Sequence, residues 1–424
     1  MNWNRTKQLI PDGVQTLSKM PERHVNGVYP KYIDGGMGAY IKCGDKRYID
    51  FPMGLGAVIL GHANPDVNLA VKKRLDIGTI FGLPNFMETE LAERIVDIIP
   101  SAEQCRFLKT GSEATSAAVK IARTYTNRKK IVACGYHGWH DWYSSTFKRA
   151  GTVDRHVIQV PYNDLEAFKK KVTDKTAAVI MEPYVFEEPK KDFLKGVRRL
   201  CNDKGVVLIF DECVTGFRTR KMSAQAFFNV RPELTCLGKA MGNGYPISCV
   251  CGKKELMDVL TKDCFVSSTF GGDLVGIAAA IKTIEIVSHK GIHHLEIMGH
   301  KLKEAFNRYA QNDGLFDCKC VGYPQRTKFE FPTDAHRSLF WQECLGQGVF
   351  FGYAQFVSYA HNMPEMDKTV AAIRYAMRIL RKNKDNPPAA LKGDVATPAL
   401  REEVKNETGS TNTSTVPAGE TVAK

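Results

Sequence analysis

Between residues 104 and 212 short apolar runs alternate with stretches of helical periodicity. Residues 131–133, 157–160 and 178–181 read as strands, and Val206-Val207-Leu208-Ile209-Phe210 reads as a strand buried on both faces. Arg106-Phe107-Leu108 is a further strand, running into a helix at Ser112. Strands interleaved with helices predict an α/β fold built on a mainly parallel sheet. Upstream, residues 39–42 and 47–51 flank Gly44-Asp45 as a hairpin. Asn64-Pro65 starts a helix carrying Val67, Ala70, Val71 and Leu75, and a second amphipathic helix covers 87–99, stopped by Pro100. After Asp273 the texture is helical, over 277–287 and 297–309, with a half-buried strand at 327–331. Val370, Ile373, Met377 and Leu380 form one apolar stripe, with Glu365 near its start and Arg378, Arg381 and Lys382 near its end, as the helix dipole favours.

These patterns divide the chain into four parts. Residues 1–50 form an N-terminal arm with a segment of a smaller lobe, and 51–275 a large α/β domain. Residues 276–385 form a small α+β lobe, and 386–424, almost without large apolar groups, read as a disordered tail. The stretch up to about Gly36 shows little periodicity and reads as a mobile arm or a segment draped over a partner subunit. Hydrophobic residues at 43% and charged residues at 25% are ordinary for a folded chain of 424 residues. The net charge of +13 comes from lysines and arginines mixed with acids rather than from basic runs interleaved with aromatics, which argues against nucleic acid. Twelve cysteines occur singly or as Cys-x-Cys, which disfavours zinc ribbons and dithiol redox motifs. The opening residues lack a signal-peptide core and no apolar run reaches membrane-spanning length, so free thiols in the cytoplasm are expected.

Candidate chemistry gathers at the ends of predicted strands. Lys239, in Leu237-Gly238-Lys239-Ala240-Met241-Gly242, stands between an apolar run and a glycine-rich turn, where a lysine can shed its proton and attack a carbonyl. By itself such a lysine is more often an ordinary surface residue. Thr110-Gly111-Ser112 opens a helix and offers N–H groups to a phosphate, unless Ser112 is only a cap. Asp211 follows a buried strand, where open α/β sheets bind ligands, and would suit a protonated pyridine nitrogen. The plainer alternative pairs it with Arg218. Tyr136-His137-Gly138-Trp139-His140 supplies a stacking ring; its His-x-x-His spacing is a weak basis for a metal. Ser267-Ser268-Thr269-Phe270-Gly271 is a second hydroxyl-rich turn, or simply a connection. A Schiff-base lysine, an acid for a pyridinium, a phosphate cup and a stacking ring are together the needs of pyridoxal 5'-phosphate.

With Leu237-Gly238-Lys239, Gly242-x-Gly244-x-Pro246 and Asp211-Glu212-Cys213-x-Thr215-Gly216-Phe217-Arg218, the chain resembles the class III aminotransferases, which are fold-type I pyridoxal-phosphate enzymes. Within them it is most similar to the glutamate-1-semialdehyde aminomutase branch, from about residue 10 to 380. The resemblance implies that Lys239 is the Schiff-base lysine and Asp211 the partner of the pyridine nitrogen. Gly111 and Ser112 fall in the phosphate cup; Tyr136, as the ring-stacking group, and His137 count among the cofactor-binding residues. Glu182 supports the site behind the cofactor, and Thr269 reaches the phosphate of a neighbouring subunit, implying a homodimer with shared sites. Cys213 replaces the usual valine under the ring, Asp273-Leu274 replaces an Asn-Pro, Val357 stands where the aminomutases carry a glutamate, and Lys19 near where they carry an arginine. The expected activity is transfer of an amino group from a small amino donor to a small carbonyl acceptor. An intramolecular 2,1-aminomutase is the alternative, and a non-catalytic relative the remote one.

Overall fold

The computed structural model describes residues 2–144 and 154–397. After a helix at Trp3–Leu9, strands β1 (Gly35–Met37), β2 (Tyr40–Cys43) and β3 (Lys46–Asp50) run antiparallel, with the expected hairpin turning at Gly44. The two expected helices follow at Pro65–Leu75, capped by Asn64, and Phe86–Ile98, capped by Asn85 with a reciprocal Glu88 bond.

Seven strands build the main sheet among the described residues: β4 (Gln104–Leu108), β5 (Lys130–Cys134), β6 (Val157–Gln159), β7 (Thr176–Met181), β8 (Val207–Asp211), β9 (Leu234–Leu237) and β10 (Ser248–Gly252). Their order is β4-β10-β9-β8-β7-β5-β6. β10 runs antiparallel to both its neighbours, and every other pairing is parallel. β7 and β8 are buried along their whole length, as their unbroken apolar runs require. One face carries the Gly111–Thr126 helix, whose Ala114, Ala117, Ala118 and Ala122 let it settle closely on Ile180 and Ile209. The other face packs Val179, Leu208 and Phe210 against Phe168 and Val197. The chain crosses from β4 at one edge to β5 near the other by way of the Gly111–Thr126 helix, so loops from distant parts of the sequence meet at the strand ends.

The smaller lobe holds the helices Leu274–Lys290 and His293–Asn312, then β11 (Lys319–Tyr323) and β12 (Arg326–Glu330). The helix Asp334–Gly346 follows, then β13 (Val349–Phe350), parallel to β3, and β14 (Gln355–Phe356), beside β12. Met363–Lys382 is the striped helix the sequence predicts. The Asp334–Gly346 helix has no clear apolar stripe in the sequence because polar and apolar residues from Arg337 to Gln342 are buried alike.

The expected tail begins too early. Residues 386–397 pack on the Asp334–Gly346 helix and the N-terminal arm, with Ala396 fully buried. Arg337 donates to the carbonyls of Ala396 and Thr397 at 3.0 and 3.2 Å, and Gln342 Nε2 to that of Ala390 at 3.0 Å. Backbone bonds from Asp394 to Asn26 and from Thr397 to Glu22 tie this segment to the N-terminal arm. This segment is held through its main chain, which a count of large apolar side chains does not register. Residues 398–424 of the expected tail lie outside the described residues.

The arm is likewise built in: Val25 and Tyr29 belong to the core. His24 stacks on Tyr29 beside Trp341 and Phe350, and burial pushes its pKa from 6.5 down to about 4. The folded state therefore holds His24 neutral, while the unfolded chain takes up a proton below 6.5. Its contribution is intact above pH 6.5 and is lost as the pH falls toward 4, by about 3 kcal/mol in all. Urea unfolding at pH 7, 5.5 and 4 should show this decline, and His24→Phe should flatten it.

Candidate active site

β8 delivers Asp211 to the strand ends, buried beneath the loops. Its Oδ2 lies 2.8 Å from His137 Nδ1, and its Oδ1 accepts the Cys213 N–H at 3.1 Å. Burial by itself raises the Asp211 carboxyl, but the bond and charge of His137, then the charge of Lys239 and the Cys213 bond, outweigh it and hold the group below the usual carboxylate range. Asp211 is thus a carboxylate at neutral pH. His137 is also buried, and its Nε2 lies 3.2 Å from the carbonyl of Cys134. Arg218 does not pair with Asp211, contrary to the plainer sequence alternative. It is fully buried and donates to the carbonyls of Gly56 at 2.6 Å, Val357 at 3.3 Å and Val58 at 3.5 Å, clamping backbone segments together.

Lys239 follows β9 and opens a short turn, half-buried, with φ at +47°. A lysine in the left-handed region costs about 1–3 kcal/mol, a strain usual where the chain must aim a side chain. Cys213 forms the floor beside it. A Cβ at Gly111 would lie 3.1 Å from Cys213 Sγ, and one at Gly238 would lie 3.7 Å away. The Gly111 turn and the lysine turn therefore both close on one thiol.

Thr110, not Ser112, caps the Gly111–Thr126 helix. Its Oγ1 accepts the Glu113 N–H, while Glu113 Oε2 receives the Thr110 N–H at 2.7 Å. That box occupies the Thr110 hydroxyl and leaves the first-turn N–H groups of Gly111 and Ser112 directed outward. Ser248 Oγ fixes the turn from behind by donating to the Thr110 carbonyl at 2.7 Å. Across it, Gly138 sits at φ +103°, where a side chain would strike Ser112 Oγ at 2.3 Å. Tyr136 is half-buried and meets Tyr143 edge-on at 5.8 Å. His140 turns away from His137, its Nδ1 2.7 Å from Ser116 Oγ, so the two rings do not converge.

Glu182, at the end of β7, receives the Tyr136 N–H at 3.4 Å and pairs with Arg326 of β12 at 3.2 Å, both side chains buried. Arg326 escapes a sequence reading because nothing around it marks its strand partner or its reach to Glu182. The pair joins the small lobe to the end of β7. Removing the cation takes the ion pair away from a buried carboxylate, so Arg326→Met should lower unfolding free energy by about 3–5 kcal/mol. The double variant with Glu182→Gln should recover part of it in the same urea titration. Val357 is fully buried in the core and contributes its carbonyl, so its side chain does not open onto the strand-end cleft. Thr269 lies on an exposed turn whose Gly271 approaches the carbonyl of Phe107, outside the cluster of Lys239, Asp211 and His137.

A carboxylate at the end of a central strand, a strained lysine at the end of the next, a Cβ-free turn at a helix start and a half-buried aromatic fit the ring, carbonyl and phosphate of pyridoxal 5'-phosphate. The sheet is that of a fold-type I pyridoxal-phosphate enzyme. The solved FumI of Sphingopyxis sp. MTA144, in its pyridoxal-phosphate internal aldimine form, superposes with a TM-score of 0.85 at 26% identity, over 93% of this chain and 97% of that one. An omega-transaminase from Sphaerobacter thermophilus gives 0.82 at 26% identity, over 89% and 96%. The profile of the class-III aminotransferases matches residues 24–360, and the chain belongs to that family. It is 33% identical over 408 residues to a glutamate-1-semialdehyde 2,1-aminomutase of Syntrophobacter fumaroxidans, covering 86% of this chain and 94% of the relative. It is also 33% identical over 405 residues to a 3-aminobutyryl-CoA aminotransferase of Cloacimonas acidaminovorans, covering 90% and 96%. The protein is an enzyme of this pyridoxal-phosphate family, a transaminase or an aminomutase.

Proposed function

We propose that the enzyme moves an amino group from a small amino donor to a small carbonyl acceptor, a keto acid, aldehyde or keto-sugar, with Lys239 as the residue that carries the cofactor. Bound pyridoxal phosphate supplies an electron sink for the bonds at the amine-bearing carbon. With the cofactor bound, the Lys239 amine would be the group placed to take the proton from that carbon and return it. Asp211, ionised and aligned by His137, holds a proton on the pyridine nitrogen. Gly111 and Ser112 hold the phosphate through their N–H groups, Tyr136 covers the ring, and Glu182 orients the Tyr136 backbone. The observation that carries this reading is the Asp211–His137 pair set against a strained Lys239 at adjacent strand ends.

The named relatives favour one second reading, an intramolecular 2,1-aminomutase. A panel of amino donors and acceptors separates the two, followed by the spectral change of the bound cofactor. Transfer between unlike molecules is expected. Turnover of glutamate-1-semialdehyde alone would replace the first reading with the second.

We also propose a homodimer in which Thr269 serves the partner's phosphate site. Support comes from exposed apolar side chains beside it: Phe81, Leu83 and Phe86 on one stretch, Phe265 and Phe270 on the other. The two stretches are linked by the Leu274 N–H bond to the Thr79 carbonyl at 2.8 Å. Soluble monomers rarely expose patches of this kind. Leu83→Asp should halve the sedimenting mass and weaken cofactor retention, whereas Thr269→Ala should weaken retention in an intact dimer. A cytoplasmic setting fits the twelve free cysteines, and among the described residues no helix is long and apolar enough to cross a membrane.

A further inference from the structure

One amide side chain ties the lysine turn to a distant stretch of the chain. Asn243 closes the turn that Lys239 opens, and both stand in the left-handed region, each at φ +47°. Asn243 is buried, and its Oδ1 accepts the N–H groups of Ile59 at 2.9 Å and Leu60 at 2.8 Å. Its Nδ2 donates to the carbonyl of Gly61 at 3.2 Å. Two N–H groups face one end of the amide and a carbonyl the other, so the side chain fits only one way round. Beside it, a Cβ at Gly244 would lie 3.4 Å from Val58 Cγ2, so the turn packs on the stretch to which it is bonded.

That stretch is itself pinned. Met53, Gly54, Leu55 and Gly56 are four consecutive left-handed residues, at φ +44°, +60°, +58° and +83°. Backbone of this kind persists only where its surroundings over-determine it. Here the Gly56 N–H reaches the Pro52 carbonyl and the Val58 N–H the Met53 carbonyl, both at 3.0 Å. Arg218 holds the carbonyls of Gly56 and Val58, and the Tyr359 N–H of the small lobe holds that of Ile59 at 2.8 Å. Residues 52–61 thus form a fixed bracket, and the lysine turn hangs on it through Asn243.

On the reading that Lys239 carries the cofactor, we propose that Asn243 is a positioning residue for amino transfer. By pinning the far end of the lysine turn to residues 59–61, it sets where the Lys239 amine stands relative to Asp211. Its amide is spent on backbone groups, and it acts only through Lys239. The turn's own bonds are short-range: the Met241 N–H to the Gly238 carbonyl at 3.1 Å, and the Asn243 N–H to that of Ala240 at 3.3 Å. These keep the shape of the turn but do not fix its direction. The three Asn243 bonds fix it, across 182 to 184 positions of sequence. Displacing a reacting group by about 1 Å costs about 10²-fold in rate, so loss of this anchor acts on the chemical step more than on binding.

The test uses Asn243→Gly, since glycine accepts the positive φ and the substitution removes the side chain alone. Asn243→Asp, which keeps an acceptor for both N–H groups, is the conservative variant. Full-length protein stripped of cofactor is mixed with pyridoxal 5'-phosphate and quenched with borohydride at timed intervals, and the label on the Lys239 peptide is counted. Steady-state kinetics of the holoenzyme and its melting temperature are measured alongside. The rate of Lys239 labelling and kcat should both fall by about 10-fold to 10²-fold in Asn243→Gly, with the donor KM within about twofold of wild type. Asn243→Asp should recover most of both. Should Asn243→Gly fail to fold, Asn243→Ser, too short to span both N–H groups, takes its place with the same expected loss. Wild-type labelling and kcat in the glycine or serine variant would overturn the proposal, whether or not the melting temperature falls, because a merely structural side chain gives that result. An aspartate variant as slow as the glycine one would overturn it too. Wild-type protein labelled on another lysine would instead overturn the reading of Lys239.

Discussion

Lys239→Ala loses turnover by about 10³-fold or more, while the protein keeps its fold and still binds the cofactor without a covalent link. On the proposed function two roles vanish together in that variant: the attachment point, and the base that moves the proton at the amine-bearing carbon. The second role alone is worth about 10²–10⁴ in rate. Alanine meets the same positive φ as lysine, so the turn at 239 is not newly strained. Circular dichroism should therefore match wild type, and single-turnover absorbance with an amino donor should show no conversion. Addition of a small primary amine should restore a measurable part of the proton-transfer rate, because only the amine is missing. Wild-type turnover in this variant would remove Lys239 from the chemistry.

The second large effect is expected at Asp211. Asp211→Asn preserves the size of the side chain and an acceptor oxygen, but removes the charge that faces His137 and Lys239. Without it the pyridine nitrogen has no anionic partner, and the rate at saturating donor should fall by about 10²–10³, the range for losing one aligned electrostatic contact. The loss should appear mainly in kcat, since the phosphate and ring contacts remain. His137→Asn, acting only through Asp211, should give a smaller fall of the same kind, and a pH profile separates the two. In wild type, Asp211 is held below the usual carboxylate range, so activity owes nothing to its titration near neutrality. With His137 removed, burial is opposed by fewer groups and the carboxyl rises, and the acid limb of the profile should move upward.

The central strands and the residues at their ends were open to a reading of the sequence for a physical reason. A strand buried on both faces must be written as an unbroken apolar run, and Asp211 is conspicuous as the first charge after one. Lys239 stands out in the same way after Leu234–Leu237. Cross-chain partners were not open to such a reading. His137 meets Asp211 across 74 positions and Arg326 meets Glu182 across 144, and each side chain taken alone has ordinary neighbours in sequence. Arg218 shows the opposite error: its nearness to Asp211 in sequence suggested an ion pair, whereas the turn at 212–217 carries it to backbone carbonyls instead. The segment 386–397 was hidden because its main chain, not its side chains, fastens it.

Borohydride reduction of the native holoenzyme followed by peptide mapping tests the central claim most directly, because reduction fixes the cofactor to whichever lysine it is joined to. The account predicts one modified peptide carrying the label on Lys239, and none from the Lys239→Ala protein. A label on any other lysine, or no label on a protein that binds the cofactor and turns over, would contradict it.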